Sequence, residues 1–374
     1  MMFAGVVSAS DMSRGIVQAK PLEPVRIAVV LALTGIAAED NLPAIQAARL
    51  AVEETNRSGG IFGRPVELEL IDNRSTPIGS KNAAEKAVQA GVVGVIGPLW
   101  SSHALPAAAV LQEARVPMIT PTATKPEVTR VGDCIFRVCM SDDFQGFVMA
   151  RFASERLGAQ TAVVLKNISE EYSVTLADMF TRSFEEIGGK VLWQGDYKGT
   201  AVNFENLLEQ VRGFPADVLF IPGYARDSGL VVQQAVKMGI KPIFLGGDGW
   251  GENMRQYAGN AVVGAYYTTH YHPDVPFKKS KALQQLYRER LDLERVTDIR
   301  IPLTYDAVLV LVEAVRRAGG LDRESIREAL ALVDKFHGAT GTITFDQNGD
   351  PKGKEAVILK FEKERSVFIH SMTQ

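Results

Sequence analysis

The sequence predicts an α/β protein made of two doubly wound lobes. From Val25 onward, short β-branched runs alternate with longer segments of helical period, which is the pattern of βαβ units and a parallel sheet. The same alternation starts again at Phe144, after a first set of units. The chain has 374 residues, which at about 150 residues per domain fits two to three domains. Two lobes of one type therefore explain both the pattern and the length.

The first half supplies the strands and helices of one lobe. Strands are predicted at 25–31, 66–71, 92–96 and 117–119, and the segment 134–139 also has the composition of a strand. Helices are predicted at 43–56, 80–90 and 105–114. In the first helix Ile45, Ala48 and Val52 share one face, and Gly59-Gly60 ends it.

The second half repeats this order and adds a C-terminal part. Helices are predicted at 144–157, 174–187, 204–211 and 230–238, and strands at 161–165, 191–194, 218–221 and 243–245. After an apolar segment at 262–268, three helices are predicted at 281–291, 303–317 and 323–332. The middle one carries a core-facing stripe that includes Val308, Leu311 and Val315. A hairpin pattern over 341–345, 356–361 and 367–370 ends the chain.

Charge and hydropathy exclude several classes of protein. Lys and Arg number 41 and Asp and Glu 44, so the net charge is −3 and no excess positive charge is present for a nucleic acid. No apolar run approaches the roughly 20 residues that a membrane-spanning helix needs. Cys134 and Cys139 would lie about 16 Å apart along a strand, too far for a disulfide, so we expect two buried thiols.

Cofactor, metal and nucleophile motifs are incomplete. The sequence has no CxxC and no histidine pair at metal spacing. Gly247-x-Gly249 has Glu252 where a dinucleotide-binding motif needs its third glycine, and no phosphate-binding GxxxxGK[ST] is present. Pro351 takes the glycine position of a calcium loop beginning at Asp346, which predicts a hairpin turn there. We therefore expect no enzyme, no cofactor and no metal.

Residues 1–23 leave two interpretations open. Val7-Ser8-Ala9 and Val17-Gln18-Ala19 resemble small-residue cleavage sites, but no basic segment precedes them. The segment is either the remnant of a signal peptide or a disordered tail.

Four loops after strands carry the polar groups of a candidate site, because open α/β sheets bind ligands at the carboxyl ends of their strands. These loops are 97–103, 120–126, 222–227 and 246–251. Ser101 and Ser102 either bind an anion such as a carboxylate at a helix N-terminus or only cap that helix. Asp248 either places a carboxylate where an ammonium is held or caps the following helix.

Several ordered motifs resemble a known family. They are Ile27-Ala28-Val29-Val30 with Thr34-Gly35, Asn56-Arg57-Ser58-Gly59-Gly60-Ile61-Phe62-Gly63, Val95-Ile96-Gly97-Pro98 with Ser101-Ser102, Thr120-Pro121-Thr122-Ala123-Thr124, Phe136-Arg137 with Asp142-Asp143 and Gln145-Gly146, and Leu303-Thr304-Tyr305-Asp306-Ala307. Together they resemble the type I periplasmic binding proteins, and within these the leucine/isoleucine/valine-binding proteins of ABC transporters. The resemblance covers about residues 24 to 370.

The resemblance implies a site for a zwitterion. The loop with Ser101 and Ser102, together with Thr124, would hold the α-carboxylate of an amino acid. The carbonyl of Thr122 and the carboxylate of Asp248 would hold its α-ammonium.

The same resemblance assigns residues around the rest of the ligand. Tyr172 and Tyr224 would close over it from the second lobe, and Trp100, Trp250 and residues 37–41 would decide which side chain is accepted. Relatives often carry an aromatic residue in the loop at 37–41, where this sequence is small and acidic. That departure weakens the expectation of an aliphatic side chain.

The resemblance also implies boundaries and a mechanism. Lobe 1 would comprise residues 24–141 plus 270–343 and lobe 2 residues 142–269 plus 344–374, joined by a three-strand hinge near Ser141, Thr269 and Phe345. Closure of the lobes around the ligand would create the form that a membrane permease recognises.

The predicted function is a periplasmic or otherwise extracytoplasmic solute-binding protein of an ABC transporter. It would bind a branched-chain or related amino acid, deliver it to the permease in the membrane, and act as a monomer without a nucleic-acid partner. Two alternatives stay open: a ligand-sensing regulatory or receptor domain of the same fold, and a binder of aliphatic or aromatic carboxylates that lack the amine.

Overall fold

The computed structural model describes residues 22–275, 278–291 and 295–373. The two interpretations of the N-terminal segment therefore concern residues that lie almost wholly outside the described part. Among the helices of the described part, none has the length and apolar character that crossing a membrane demands.

The first lobe is built on a five-stranded parallel sheet. Its strands are β1 (Val25–Leu31), β2 (Val66–Asp72), β3 (Gly94–Ile96), β4 (Met118–Thr120) and β5 (Ile135–Arg137). Helices α1 (Ala38–Arg57), α2 (Pro77–Gln89) and α3 (Ser101–Glu113) connect the first four strands. The order across the sheet is β2-β1-β3-β4-β5, and every neighbouring pair is parallel.

The remaining strands form a second sheet and a small hairpin. They are β6 (Thr161–Asn167), β7 (Lys190–Tyr197), β8 (Val218–Phe220), β9 (Ile243–Gly246), β10 (Tyr266–Thr269), β11 (Phe336–Gly338), β12 (Gly341–Ile343), β13 (Glu355–Phe361) and β14 (Ser366–Thr373). The second sheet has the order β14-β13-β10-β9-β8-β6-β7, with β13 and β14 antiparallel to their neighbours. Strands β11 and β12 pair only with each other.

The remaining helices cover the sheets. They are α4 (Asp142–Arg151), α5 (Glu171–Glu186), α6 (Glu205–Arg212), α7 (Ala225–Lys237), α8 (Arg255–Ala258), α9 (Lys278–Leu291), α10 (Arg300–Ala318) and α11 (Arg323–Ala331). The buried side chains of α9, α10 and α11 join the core of the first lobe. The chain therefore passes from one lobe to the other three times, after β5, after β10 and after β12.

The central strands of each sheet are buried on both faces, which explains the continuous apolar runs of the sequence. Along β1, Ile27 and Val29 point into the core shared with α1 and α10, and Ala28 and Val30 into the core shared with α2 and α3. Two further cores lie on the two faces of the second sheet. Cys134 and Cys139 are buried and unpaired, as predicted.

Most helices begin earlier than predicted, among them α1 and α3, which each contain a proline near the predicted start. Helix α1 begins at Ala38 and contains Pro43, while α3 begins at Ser101 and contains Pro106. Proline is most common in the first turn of a helix, but Pro43 and Pro106 lie deeper inside these two helices. The cap interpretation of the serine loop is wrong, because Trp100 precedes α3 and no side chain caps it.

Candidate functional site

A cavity of about 220 Å³ lies between the two lobes, at the carboxyl ends of strands from both sheets. This volume lies below the roughly 300–1,000 Å³ of pockets for drug-sized ligands, as expected for a small metabolite. Besides Trp250 and Asp40, six of the predicted site residues line it: Trp100, Ser101, Thr122, Tyr172, Tyr224 and Asp248. The first three belong to the lobe of the five-stranded sheet and the last three to the other lobe.

Ser102 and Thr124, the other two predicted residues, do not line the cavity. The Ser102 hydroxyl donates instead to Oε2 of Glu170 in the other lobe, at 2.9 Å. The Thr124 hydroxyl is buried and has no hydrogen-bond partner among the described residues. The structure therefore brings only part of the predicted carboxylate site to the cavity wall.

Ser101 stands at the start of α3, where the first backbone N–H groups of a helix have no intrahelical acceptor. Its Oγ accepts a hydrogen bond from the backbone N–H of Lys125 at 3.2 Å, and the Thr122 hydroxyl donates to the Leu99 carbonyl at 2.9 Å. These bonds hold the loops after β3 and β4 together. Free N–H groups and a positive helix end make this wall suited to an anion.

Asp248 supplies a carboxylate from the opposite wall. Its Oδ1 accepts from Nε2 of Gln145 at 3.0 Å, and its backbone N–H donates to Oε1 of the same glutamine at 2.7 Å. Its Oδ2 lies 2.7 Å from Nε2 of His270. Both oxygens are thus oriented by neighbours before any ligand binds.

His270 is a positioning residue that the sequence analysis did not identify. The backbone N–H of Met140 donates to its Nδ1 at 3.3 Å. Because Nδ1 is the acceptor in this bond, Nε2 is the ring nitrogen that donates a hydrogen bond to Asp248. Met140 precedes α4 and His270 follows β10, so the Asp248 carboxylate is connected to two of the three interlobe segments.

Asp142, the first residue of α4, is a second wholly buried carboxylate near this wall. Neither of its oxygens has a hydrogen-bond partner among the described residues, and its backbone N–H donates to the Thr124 carbonyl at 2.9 Å. Burial raises the pKa of Asp142 well above its ordinary value, and the negative charge of Asp248 raises it further. Burial therefore favours the protonated, neutral form of this carboxyl.

Aromatic rings connect the two lobes beside the cavity. Trp100 stacks on Tyr224 with ring centroids 4.5 Å apart, and Tyr224 stacks on Tyr172 at 5.3 Å. The Tyr172 hydroxyl accepts from the backbone N–H of Gly249 at 3.0 Å. Burial raises the pKa of both tyrosines, which keeps them neutral. The three stacked rings form one side of the cavity.

Two polar contacts also join the lobes next to this stack. Glu170 accepts from Ser102, and Glu171 forms an ion pair with Lys125. Burial raises the pKa of Glu170 to about 7, and the hydrogen bond from Ser102 opposes part of that rise. Glu170 thus changes its charge in the physiological range.

We expect Glu170→Gln to reduce the pH dependence of the free energy of unfolding. The folded pKa of Glu170 is raised, so the folded state binds more protons than the unfolded state between about pH 4.5 and 7. Its contribution therefore destabilises the protein as pH rises through that window. Urea unfolding at pH 5.5 and 8 should show a smaller difference for Glu170→Gln than for wild type. Glu185→Gln, at an exposed position of α5, is the control, and equal pH dependence in all three proteins would contradict the expectation.

A cavity between two doubly wound lobes, lined by dipoles and a carboxylate from opposite walls, defines the class of two-lobed ligand-binding proteins. The sequence profile of one such family, described as periplasmic binding protein, matches residues 24–363. The chain belongs to the periplasmic binding protein family.

Individual relatives resemble the chain over most of its length. The solved structure of the leucine-binding protein LivK from Thermotoga maritima is 34% identical with a TM-score of 0.88, and the match covers 93% of this chain and 98% of that one. The branched-chain amino acid binding protein LivJ from Streptococcus pneumoniae, solved with isoleucine, is 27% identical with a TM-score of 0.86, over 94% and 99% of the two chains. A leucine-, isoleucine-, valine-, threonine- and alanine-binding protein from Pseudomonas aeruginosa is 29% identical over 91% of each chain.

Proposed function

We propose that this protein is the extracytoplasmic solute-binding component of an ABC transporter and that it carries an amino acid to a membrane permease. The observation that carries the proposal is the charge pattern of the cavity. Ser101 and the N-terminus of α3 form an anion-binding wall, while Asp248 presents a carboxylate from the other lobe. An amino acid zwitterion has the complementary arrangement of charges.

The relatives support an amino acid as the ligand. The T. maritima protein is named for leucine, the S. pneumoniae structure holds isoleucine, and the P. aeruginosa protein is named for five amino acids. These ligands differ in their side chains and share the α-ammonium and α-carboxylate. The part of the ligand that they have in common is the part that Ser101, Thr122 and Asp248 would hold.

Transport would follow from closure of the lobes. In this proposal, lobe 1 comprises 24–141 and 270–343 and lobe 2 comprises 142–269 and 344–374, and the hinge lies near Ser141, Thr269 and Phe345. The contact of Ser102 with Glu170 and the ion pair of Lys125 with Glu171 would form as the lobes meet. A ligand that touches both walls favours the closed form, and the permease would recognise that form.

A thermal-shift screen tests the proposal. The panel would hold the twenty amino acids and aliphatic and aromatic carboxylates that lack the amine. A ligand at about 100 times its Kd adds roughly 2.7 kcal/mol to the free energy of unfolding. A shift with amino acids alone supports the proposal. A shift only with amine-free acids would favour a carboxylate binder, and the absence of any shift would contradict an amino acid ligand.

Ser101→Ala should weaken amino acid binding by about 1–3 kcal/mol, because a hydrogen bond to a charged group is lost. The readout is the ratio of affinities for an amino acid and for its α-amide, measured by calorimetry. The ratio should fall in Ser101→Ala and stay unchanged in Ser102→Ala, whose hydroxyl faces Glu170 instead of the cavity. An equal loss in both variants would show that Ser101 does not bind the carboxylate.

A further inference from the structure

We propose that the amino acid side chain accepted by this protein ends in a nitrogen donor, an ammonium or a carboxamide, and that Asp40 receives it. The inference rests on the proposed function, because it concerns the part of the cavity beyond the zwitterion. None of the ligands named for the relatives carries a nitrogen in its side chain.

The order of the strands sets the direction in which the side chain runs. On the wall of the first lobe, Thr122 follows β4, Ser101 follows β3, and Asp40 follows β1 in the first turn of α1. These strands are adjacent in the order β1-β3-β4, and neighbouring strands are about 4.8 Å apart. A ligand whose charged groups lie over β3 and β4 therefore extends its side chain toward Asp40.

Asp40 belongs to a cluster of charges in the cavity wall. Arg300 binds Asp298 through Nε and Nη2, at 2.8 and 2.7 Å, and Asp40 Oδ1 through Nη1 at 2.8 Å. All three residues line the cavity. Two carboxylates and one guanidinium give this cluster a charge of −1. Among the described residues, no hydrogen bond reaches Oδ2 of Asp40.

Among the described residues that line the opposite wall, none adds a positive charge to balance the cluster. Asn253 contributes a neutral amide, whose Nδ2 lies 3.4 Å from Oδ1 of Asp40. Glu252 is neutralised by Arg255 at 2.7 Å and also accepts from the backbone N–H of Ser366. An excess of one negative charge therefore remains at this end of the cavity.

The negative charge at the Asp40 end of the cavity favours some ligand side chains over others. An aliphatic group placed here removes water from Asp40 without replacing its hydrogen bonds, which is unfavourable. A side chain with a terminal N–H restores those bonds, and a cationic one also offsets the excess charge. Ile299 and Trp250 line the same cavity and would pack against the methylene groups of such a side chain.

Calorimetry with matched ligands tests the inference. Lysine and norleucine have the same carbon skeleton and differ by the terminal ammonium, while glutamine supplies the carboxamide and glutamate the opposite charge. In the wild type, lysine or glutamine should bind at least tenfold more tightly than norleucine. Asp40→Leu should remove this preference, and Glu39→Gln, at the exposed neighbour, should retain it.

The outcomes separate this inference from the proposed function. The role of Asp40 would be overturned if norleucine, leucine or glutamate bound at least as tightly as lysine and glutamine. That result would leave the proposed amino acid site intact. Preference for lysine or glutamine that persists in Asp40→Leu would also overturn it. No binding of any amino acid would instead refute the proposed function.

Discussion

Replacing Asp248 by alanine should reduce amino acid affinity by about 3–5 kcal/mol, which corresponds to roughly a hundred- to several-thousandfold weaker Kd. The reason is that a buried ammonium would lose its carboxylate partner, and an unpaired buried charge is strongly unfavourable. Calorimetry with the ligand found in the thermal-shift screen gives the measurement. The change in affinity should exceed that of Ser101→Ala, since a whole charge is removed.

The control for Asp248→Ala must separate binding from folding, because Gln145 and His270 lose their partner in the same variant. Circular dichroism and the urea midpoint without ligand report the fold. Asp178→Ala removes an exposed carboxylate from α5 in the same lobe and should bind as wild type does. Unchanged affinity in a folded Asp248→Ala protein would refute its role in ammonium binding.

Replacing Asp306 by alanine should lower the free energy of unfolding by about 3–5 kcal/mol, the usual cost of removing one partner of a buried charged pair. Asp306 lies on α10 and accepts from the backbone N–H groups of Ala339 and Thr340 at 2.7 and 2.8 Å, and from the Thr340 hydroxyl at 2.6 Å. Lys354 donates to the same hydroxyl at 2.6 Å. Without Asp306, these residues leave the buried ammonium of Lys354 with no negative charge to compensate it.

Urea denaturation measures this loss, and a double variant tests its cause. Burial lowers the pKa of Lys354 to about 8, with the charge of Asp306 opposing that change. If the loss comes from an uncompensated cation, Asp306→Ala combined with Lys354→Met should recover much of it. If the loss of unfolding free energy in the double variant instead equals the sum of the losses in the two single variants, the cause is the hydrogen bonds that hold the turn at Ala339 and Thr340.

The sheets could be predicted from the sequence because their strands are buried on both faces. Strand β1 begins and ends where it was predicted to, at Val25 and Leu31. Helix starts could not be predicted in the same way. Ser101 and Ser102 were candidate caps for a helix predicted to begin at residue 105, whereas Ser101 is itself the first residue of α3. The local sequence therefore predicts a strand well when its residues both favour the β conformation and are buried in the folded protein.

The candidate site could be predicted only where a strand end carries the residue. Ser101, Thr122 and Asp248 follow β3, β4 and β9 and line the cavity. His270 and Gln145 were missed because their role depends on contacts between segments more than 20 residues away from Asp248 in the chain. Ser102 was misplaced because its neighbour Glu170 lies on the other lobe. No local pattern reports such contacts.

The stack of Trp100 on Tyr224 has a spectroscopic consequence. The protein has three tryptophans, and Trp193 packs against Phe214 within one lobe, whereas Trp100 meets a ring of the opposite lobe. Separation of the lobes exposes the Trp100 indole to water and removes the neighbouring phenol, which changes its emission. Stopped-flow fluorescence of the unlabelled protein can therefore time the opening and closing of the cleft.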